Sequence, residues 1–151
     1  MDPQAKKTAL RAITYGLYVV TAAEGGEVAA ATVNWVTQAS FAPPLVVVGL
    51  KEESHTREVA ERAQAFAVNV LGADQLEIGS ALFRPAVVEG EYLNGYRFER
   101  GPVTGAPLLE DLPYWWEARV TDIVKGGDHS VFVGEVVAAG VRDAEAPPLE
   151  L

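Results

Sequence analysis

The sequence contains no cysteine. That absence excludes disulfide bonds, a thiolate nucleophile, an iron–sulfur cluster and a thiolate zinc site. Only two histidines are present, His55 and His129, and they lie far apart in the chain. We therefore expect no transition-metal site. Redox chemistry in this chain would have to come from a bound organic cofactor.

Basic residues are also scarce, with 12 lysines and arginines against 21 aspartates and glutamates and a formal net charge of -9. This charge repels polyanions and no basic stripe offsets it, so we expect no nucleic-acid partner. No apolar run approaches the roughly 20 residues of a membrane span, and the charged N-terminal segment lacks the apolar core of a signal peptide. We therefore expect no membrane partner and a cytoplasmic location.

What is present is enough apolar sequence, 49% of the residues, for one globular domain over residues 1–151. Two pairs of β-type runs are each separated by a glycine pair, which is typical of antiparallel hairpins. These runs cover residues 17–22, 28–36, 114–125 and 130–141. Further strands are predicted at 45–50 and 66–71. Strands joined mostly by hairpins predict a mainly β, α+β fold with antiparallel, Greek-key-like strands in a closed or half-closed barrel.

Helices are few in the predicted fold. An amphipathic pattern over residues 4–13 indicates a helix that packs against the sheet. Ser54 or Thr56 can cap a second helix, and a capping-box-like Asp74 with Glu77 begins a third that reaches about residue 82. Residues 84–113 are predicted as loops around one short strand, and the tail 143–151 as a surface segment or a contact with a partner subunit.

Neutral polar residues are concentrated between residues 31 and 44, just before Pro43-Pro44. Thr32 and Asn34 share one face of the predicted strand, and hydroxyl and amide side chains continue to Ser40. Such groups can supply the donors and acceptors that the pyrimidine edge of an isoalloxazine ring needs. The alternative is a half-exposed strand followed by an ordinary polar loop.

A second cluster, residues 51–57, stands at the predicted start of a helix. Free backbone N–H groups, the helix dipole, two hydroxyls, an imidazole and an arginine together predict a phosphate cradle. The alternative is an ordinary solvated cap. Glu52 and Glu53 count against an anion site unless their side chains point away.

Several segments in order resemble one known family. They are Thr32-Val33-Asn34-Trp35 through Ser40 and Pro43-Pro44, Ser54-His55-Thr56, residues 66–71 (FAVNVL), and Gly127-Asp128-His129 followed by residues 131–136 (VFVGEV). Over about 120 residues this order resembles the flavin reductase-like family. The resemblance implies an FMN-binding split β-barrel, usually a homodimer, whose better-known members pass hydride from NADH or NADPH to a flavin.

The resemblance also implies individual roles. Residues near the flavin ring and ribityl chain would be Thr32, Asn34, Ala39 and Ser40, and residues near the phosphate would be Lys51, Ser54, His55 and Thr56. His129 would be the catalytic residue that meets the nicotinamide, although it can equally be a hairpin-turn residue. Trp35 either contacts the flavin or fills a core or interface, as strand tryptophans usually do.

Our leading hypothesis is therefore an FMN-binding NAD(P)H-dependent flavin reductase, with FAD as another possible flavin and a monooxygenase or another acceptor as partner for the reduced flavin. One alternative is an FMN carrier or electron-transfer protein without appreciable NAD(P)H turnover. The other is a β-barrel interaction protein with no ligand.

Overall fold

Three helices and eleven strands make up the computed structural model, which describes all 151 residues. The helices are α1 (Pro3–Arg11), α2 (His55–Ala63) and α3 (Leu76–Ala81). The first five strands are β1 (Tyr18–Glu24), β2 (Glu27–Val33), β3 (Val36–Ser40), β4 (Leu45–Lys51) and β5 (Ala65–Val70). The other strands are β6 (Val88–Glu89), β7 (Tyr92–Leu93), β8 (Tyr96–Arg100), β9 (Pro107–Leu109), β10 (Tyr114–Val124) and β11 (His129–Val141).

Seven strands form the main sheet in the order β2-β1-β5-β10-β11-β4-β3, and every neighbouring pair is antiparallel. Its two edge strands, β2 and β3, are consecutive in the chain and are joined only by Asn34 and Trp35. Side chains from all seven strands, including Val33 and Val36 at the two edges, pack on one core that α2 covers with Val59 and Ala60. The sheet therefore wraps into a barrel with an open seam between β2 and β3.

A second layer covers the outer face of β1 and β2. It consists of α3 and the small sheet β6-β7-β8-β9. Leu17, Val19 and Leu71 on the barrel side pack with Ile78 and Leu82 in this layer. Both faces of β1 are therefore apolar, which agrees with its nearly continuous apolar sequence.

The predicted mainly β fold with antiparallel strands and a few short helices is confirmed. The prediction that the N-terminal helix packs against the sheet is wrong, because no residue of α1 is buried. Ala5 and Ala9 offer little apolar area, so this helix gains little by docking on the sheet. No helix of the structure is long and apolar enough to span a membrane.

Three local predictions also need correction. The run predicted as one strand over 28–36 ends at Val33, because the chain must cross from one edge of the sheet to the other. Gln75, and not Asp74, is the N-cap of α3, and its side chain instead binds the Gly72 N–H and the Asp111 carbonyl. Residues 84–113 contain four short strands, because Gly90, Asn94 and Gly95 adopt positive φ and form tight turns between them.

Candidate functional site

A pocket of about 360 Å³ opens between β2, the start of α2 and the segment that follows α3. Four residues predicted to bind the flavin line it, namely Thr32, Ser54, His55 and Thr56. The remaining lining residues are Ala30, Ala31, Leu82, Phe83, Arg84, Pro85 and Ala86. The structure thus brings together residues from two clusters that are more than twenty positions apart in the chain.

The start of α2 gives this pocket its anion-binding character. Ser54 is extended and caps the helix, since its Oγ accepts a hydrogen bond from Arg57 N at 3.1 Å. The backbone N–H groups of His55 and Thr56 precede the first intrahelical bond and have no acceptor within the chain. These two donors and the positive end of the helix dipole favour a phosphate here.

Two side chains add free donors to the same pocket. Thr56 is only 3% exposed. Its hydroxyl makes no hydrogen bond within the chain and is not sealed from the pocket. Arg84 forms no ion pair with a carboxylate, and its Nε makes only a long contact of 3.5 Å with the Ala81 carbonyl. A threonine hydroxyl and a guanidinium are both suitable phosphate ligands.

Arg84 was missed by the sequence reasoning. It lies in the stretch that was predicted as loops, about thirty positions after the phosphate-cradle cluster. No spacing rule links it to Ser54, because α3 and its packing against β2 bring it there. The only sequence signal was a basic residue just after a predicted helix.

Thr32 holds one wall of the pocket in place. Its Oγ1 donates a hydrogen bond to the Gly79 carbonyl at 2.6 Å and so ties β2 to α3. A Cβ at Gly79 would lie 2.9 Å from Leu71 Cδ1, so a larger residue here would have to displace that buried leucine. The Thr32 oxygen keeps lone pairs with which it can accept a hydrogen bond from a ligand.

The acidic residues near the cradle face in two directions. Glu52 points away from the pocket and accepts a hydrogen bond from the buried Ser130 hydroxyl. Arg57 is turned to the same side, where its Nε donates to the Glu52 carbonyl at 2.8 Å. By contrast, His55 Nε2 lies 3.4 Å from the Glu27 carboxylate. The His55 imidazole thus lies between two carboxylates, those of Glu27 and Glu58.

A second pocket, of about 510 Å³, lies on the outer face of β3, β4 and β11. It contains both Trp35 and His129, whose ring centroids are 4.6 Å apart with a tilt of 57°. The Trp35 ring covers Gly49, where a Cβ would come within 3.3 Å of the indole. The structure therefore pairs the predicted tryptophan with the predicted catalytic histidine, outside the first pocket.

His129 is the first residue of β11 and is oriented by its neighbour. Its Nδ1 lies 2.9 Å from Asp128 Oδ1. This hydrogen bond, together with the charge of the imidazole, lowers the pKa of Asp128. Because a carboxylate can only accept, Nδ1 carries the hydrogen and Nε2 is left for another partner.

The other predicted residues lie outside both pockets. Asn34 is in the seam, and its amide makes no hydrogen bond within the chain. Ala39 forms a β-bulge between Gln38 and Ser40, at the far end of β3 and roughly 15 Å from Trp35 by strand length. Lys51 ends β4 directly opposite His129. A pocket with free phosphate-binding donors and a free amide in the open seam fit a phosphorylated organic cofactor better than they fit a metal ion.

Comparison with known proteins identifies the family of this chain. The sequence model of the family described as "Flavin reductase like domain" matches residues 10–151. "Probable flavin reductase" of Rhizobium meliloti (strain 1021) is 34% identical over 139 residues, which cover 91% of this chain but 43% of that protein. "NADH-dependent flavin reductase StyB" of Pseudomonas fluorescens is 32% identical over 148 residues, covering 97% of this chain and 84% of that protein.

Among solved structures, the styrene monooxygenase flavin reductase (SMOB) of Pseudomonas putida S12 superposes with a TM-score of 0.78 at 28% identity. The superposition covers 96% of this chain and 90% of that one. The family model spans nearly the whole barrel, including the seam, both pockets and the second layer. The chain therefore belongs to the flavin reductase-like family.

Proposed function

We propose that residues 1–151 form one flavin-binding domain that acts as an NADH-dependent flavin reductase with FMN as its flavin. This proposal rests on the first pocket, which is lined by the N-terminus of α2, with its free N–H groups, together with Thr56 and Arg84. Its free donors suit a terminal phosphate, and Asn34 lies two residues along the chain from Thr32, which lines the pocket. FMN ends in such a phosphate, whereas the FAD phosphates are bridged to an adenosine that this pocket would also have to admit.

Within this proposal each group of residues has one task. The α2 N-terminus and Arg84 hold the phosphate, and the Asn34 amide faces the polar edge of the ring. Asp128 orients His129, whose Nε2 meets the nicotinamide, and Trp35 shields that face from water. A flavin held by these residues would supply the redox chemistry, as an acceptor for the hydride that NADH gives up on becoming NAD⁺.

We further propose that two copies of the chain associate and that the reduced flavin serves a monooxygenase. β3 is an edge strand whose outer side is unpaired, and Phe41, directly after it, is 90% exposed. Exposed apolar groups beside an open strand edge favour pairing with a second copy. The monooxygenase is supported by the name of the Pseudomonas putida relative.

A flavin carrier without NADH turnover is the second candidate. It is favoured by the lining of the second pocket, which contains no lysine or arginine to bind the pyrophosphate of NADH. The two functions differ in one observable, the oxidation of NADH in the presence of FMN. Sustained oxidation supports the reductase, and tight FMN binding without oxidation supports the carrier.

Replacing His129 by alanine is expected to slow flavin reduction at limiting NADH about tenfold or more, because the nicotinamide loses a contact that holds it in position. The affinity for FMN should stay the same, since His129 is outside the phosphate pocket. Rapid-mixing absorbance measures the reduction rate, and quenching of flavin fluorescence measures the affinity. An unchanged reduction rate would remove His129 from the catalytic site.

A further inference from the structure

Glu52 lies in the turn between β4 and α2, and it contacts both α2 and the hairpin β10–β11. Its backbone N–H donates to the Asp128 carbonyl at 2.9 Å, and its carbonyl accepts from Arg57 Nε. Its carboxylate accepts a hydrogen bond from Ser130 Oγ, while the Lys125 ammonium lies 4.0 Å away. One residue of the turn that leads into α2 is thus bonded to the hairpin that carries His129.

The Glu52 carboxylate makes its one hydrogen bond to the hairpin, and its approach to α2 is limited to Arg57 Nε at 4.0 Å, the outer limit of an ion pair. Ser130 is fully buried and directly follows His129, so its hydroxyl has little freedom to find another acceptor. The cap of α2 does not use this carboxylate, because Ser54 and the Glu52 carbonyl supply its bonds to Arg57. Loss of the carboxylate should therefore loosen the hairpin more than the phosphate cradle.

We infer that Glu52 is a positioning residue that fixes the hairpin so that His129 stays against Trp35 and faces the nicotinamide. This inference rests on the proposed reductase function. A hydrogen bond between a carboxylate and the buried Ser130 hydroxyl holds the hairpin in one orientation. The imidazole of the preceding residue, His129, follows that orientation. The sequence had offered Glu52 only as an argument against an anion site.

The test compares Glu52→Ala with Glu53→Ala, a neighbouring exposed carboxylate outside both pockets. In Glu52→Ala we expect the KM for NADH to rise about tenfold, with less than about a twofold change in kcat or in FMN affinity. Glu53→Ala should leave all three values unchanged. Glu52→Gln should restore most of the KM, because an amide oxygen still accepts from Ser130.

A readout without flavin or NADH separates this inference from the proposed function. The protein has two histidines, so the two imidazole proton resonances are readily assigned by NMR. The Trp35 ring, 4.6 Å from His129, displaces the resonance of that imidazole. We expect this resonance to move toward its unfolded position in Glu52→Ala and in Ser130→Ala, and to move no further in the double variant.

Two results would overturn the inference. One is an unmoved His129 resonance and an unchanged KM in Glu52→Ala. The other is an equal loss of FMN affinity and NADH affinity, which a general loss of stability would produce. If the wild-type protein fails to reduce flavin, the proposed function fails, while the resonance still decides whether Glu52 positions His129.

Discussion

Replacing Thr56 by valine and Arg84 by glutamine together is expected to lower the affinity for FMN about a hundredfold and to leave the affinity for riboflavin nearly unchanged. Both residues line the phosphate pocket and neither side chain is committed to a strong bond within the chain. Hydrogen bonds to a charged group contribute about 1.5–3 kcal/mol each, so two such bonds support an effect of this size. Riboflavin has no phosphate and loses nothing at these positions.

Valine keeps the shape of threonine, and Ser54 stays in place to cap α2, so the helix should form in the double variant. Fluorescence titration with FMN and riboflavin measures both affinities. Arg119→Gln is the charge-matched control, since Arg119 is exposed on β10 away from the pocket. Equal losses for FMN and riboflavin would mean that Thr56 and Arg84 do not contact the phosphate.

Replacing Glu117 by alanine is expected to destabilise the protein by about 3 kcal/mol or more. The Glu117 carboxylate is fully buried and accepts hydrogen bonds from Val103 N, Thr104 N and Thr104 Oγ1. It also packs directly against Gly101, where a Cβ would overlap it. Alanine removes the common acceptor of three donors in the partly buried segment 103–104 and leaves a cavity where the carboxylate packed on Gly101.

Thermal unfolding followed by circular dichroism measures this effect, and we expect the midpoint to fall by about 10 °C. Glu99→Ala is the matched control, because Glu99 is a nearby glutamate that is 53% exposed and pairs with Arg142 at 2.8 Å. An exposed pair of this kind contributes about 1 kcal/mol or less. Similar midpoints for the two variants would show that the buried hydrogen bonds of Glu117 are not important for stability.

Much of the fold could be predicted from alternation and turn residues. The hairpins β1-β2 and β10-β11 follow directly from glycine pairs between β-type runs. Three of the four short strands between residues 88 and 109 could not be predicted, because β6, β7 and β9 have only two or three residues and are too short to show alternation. The exposed position of α1 depends on how much apolar area a docking face offers, which a periodic pattern does not measure.

The residues of the candidate site also divide into those that could be predicted from the sequence and those that could not. Ser54 and Thr56 could be found because a helix cap is a local feature of the sequence. Arg84 could not, since it reaches the pocket only through the packing of α3 on β2. Arg57 was included in the predicted cradle by its position in the sequence, but an internal carbonyl acceptor turns it away. The direction of a long side chain depends on where its acceptors lie in the folded chain, even when the acceptor is only five residues away, as Glu52 is from Arg57.

The central claim, that the chain binds FMN and reduces it with NADH, is tested most directly by one anaerobic titration. Purified protein is saturated with FMN, NADH is added stepwise without oxygen, and the visible absorption of oxidised flavin is followed. The account predicts complete bleaching at one equivalent of NADH per flavin, and slow bleaching in His129→Ala. Full retention of the oxidised spectrum in the wild-type protein would contradict it.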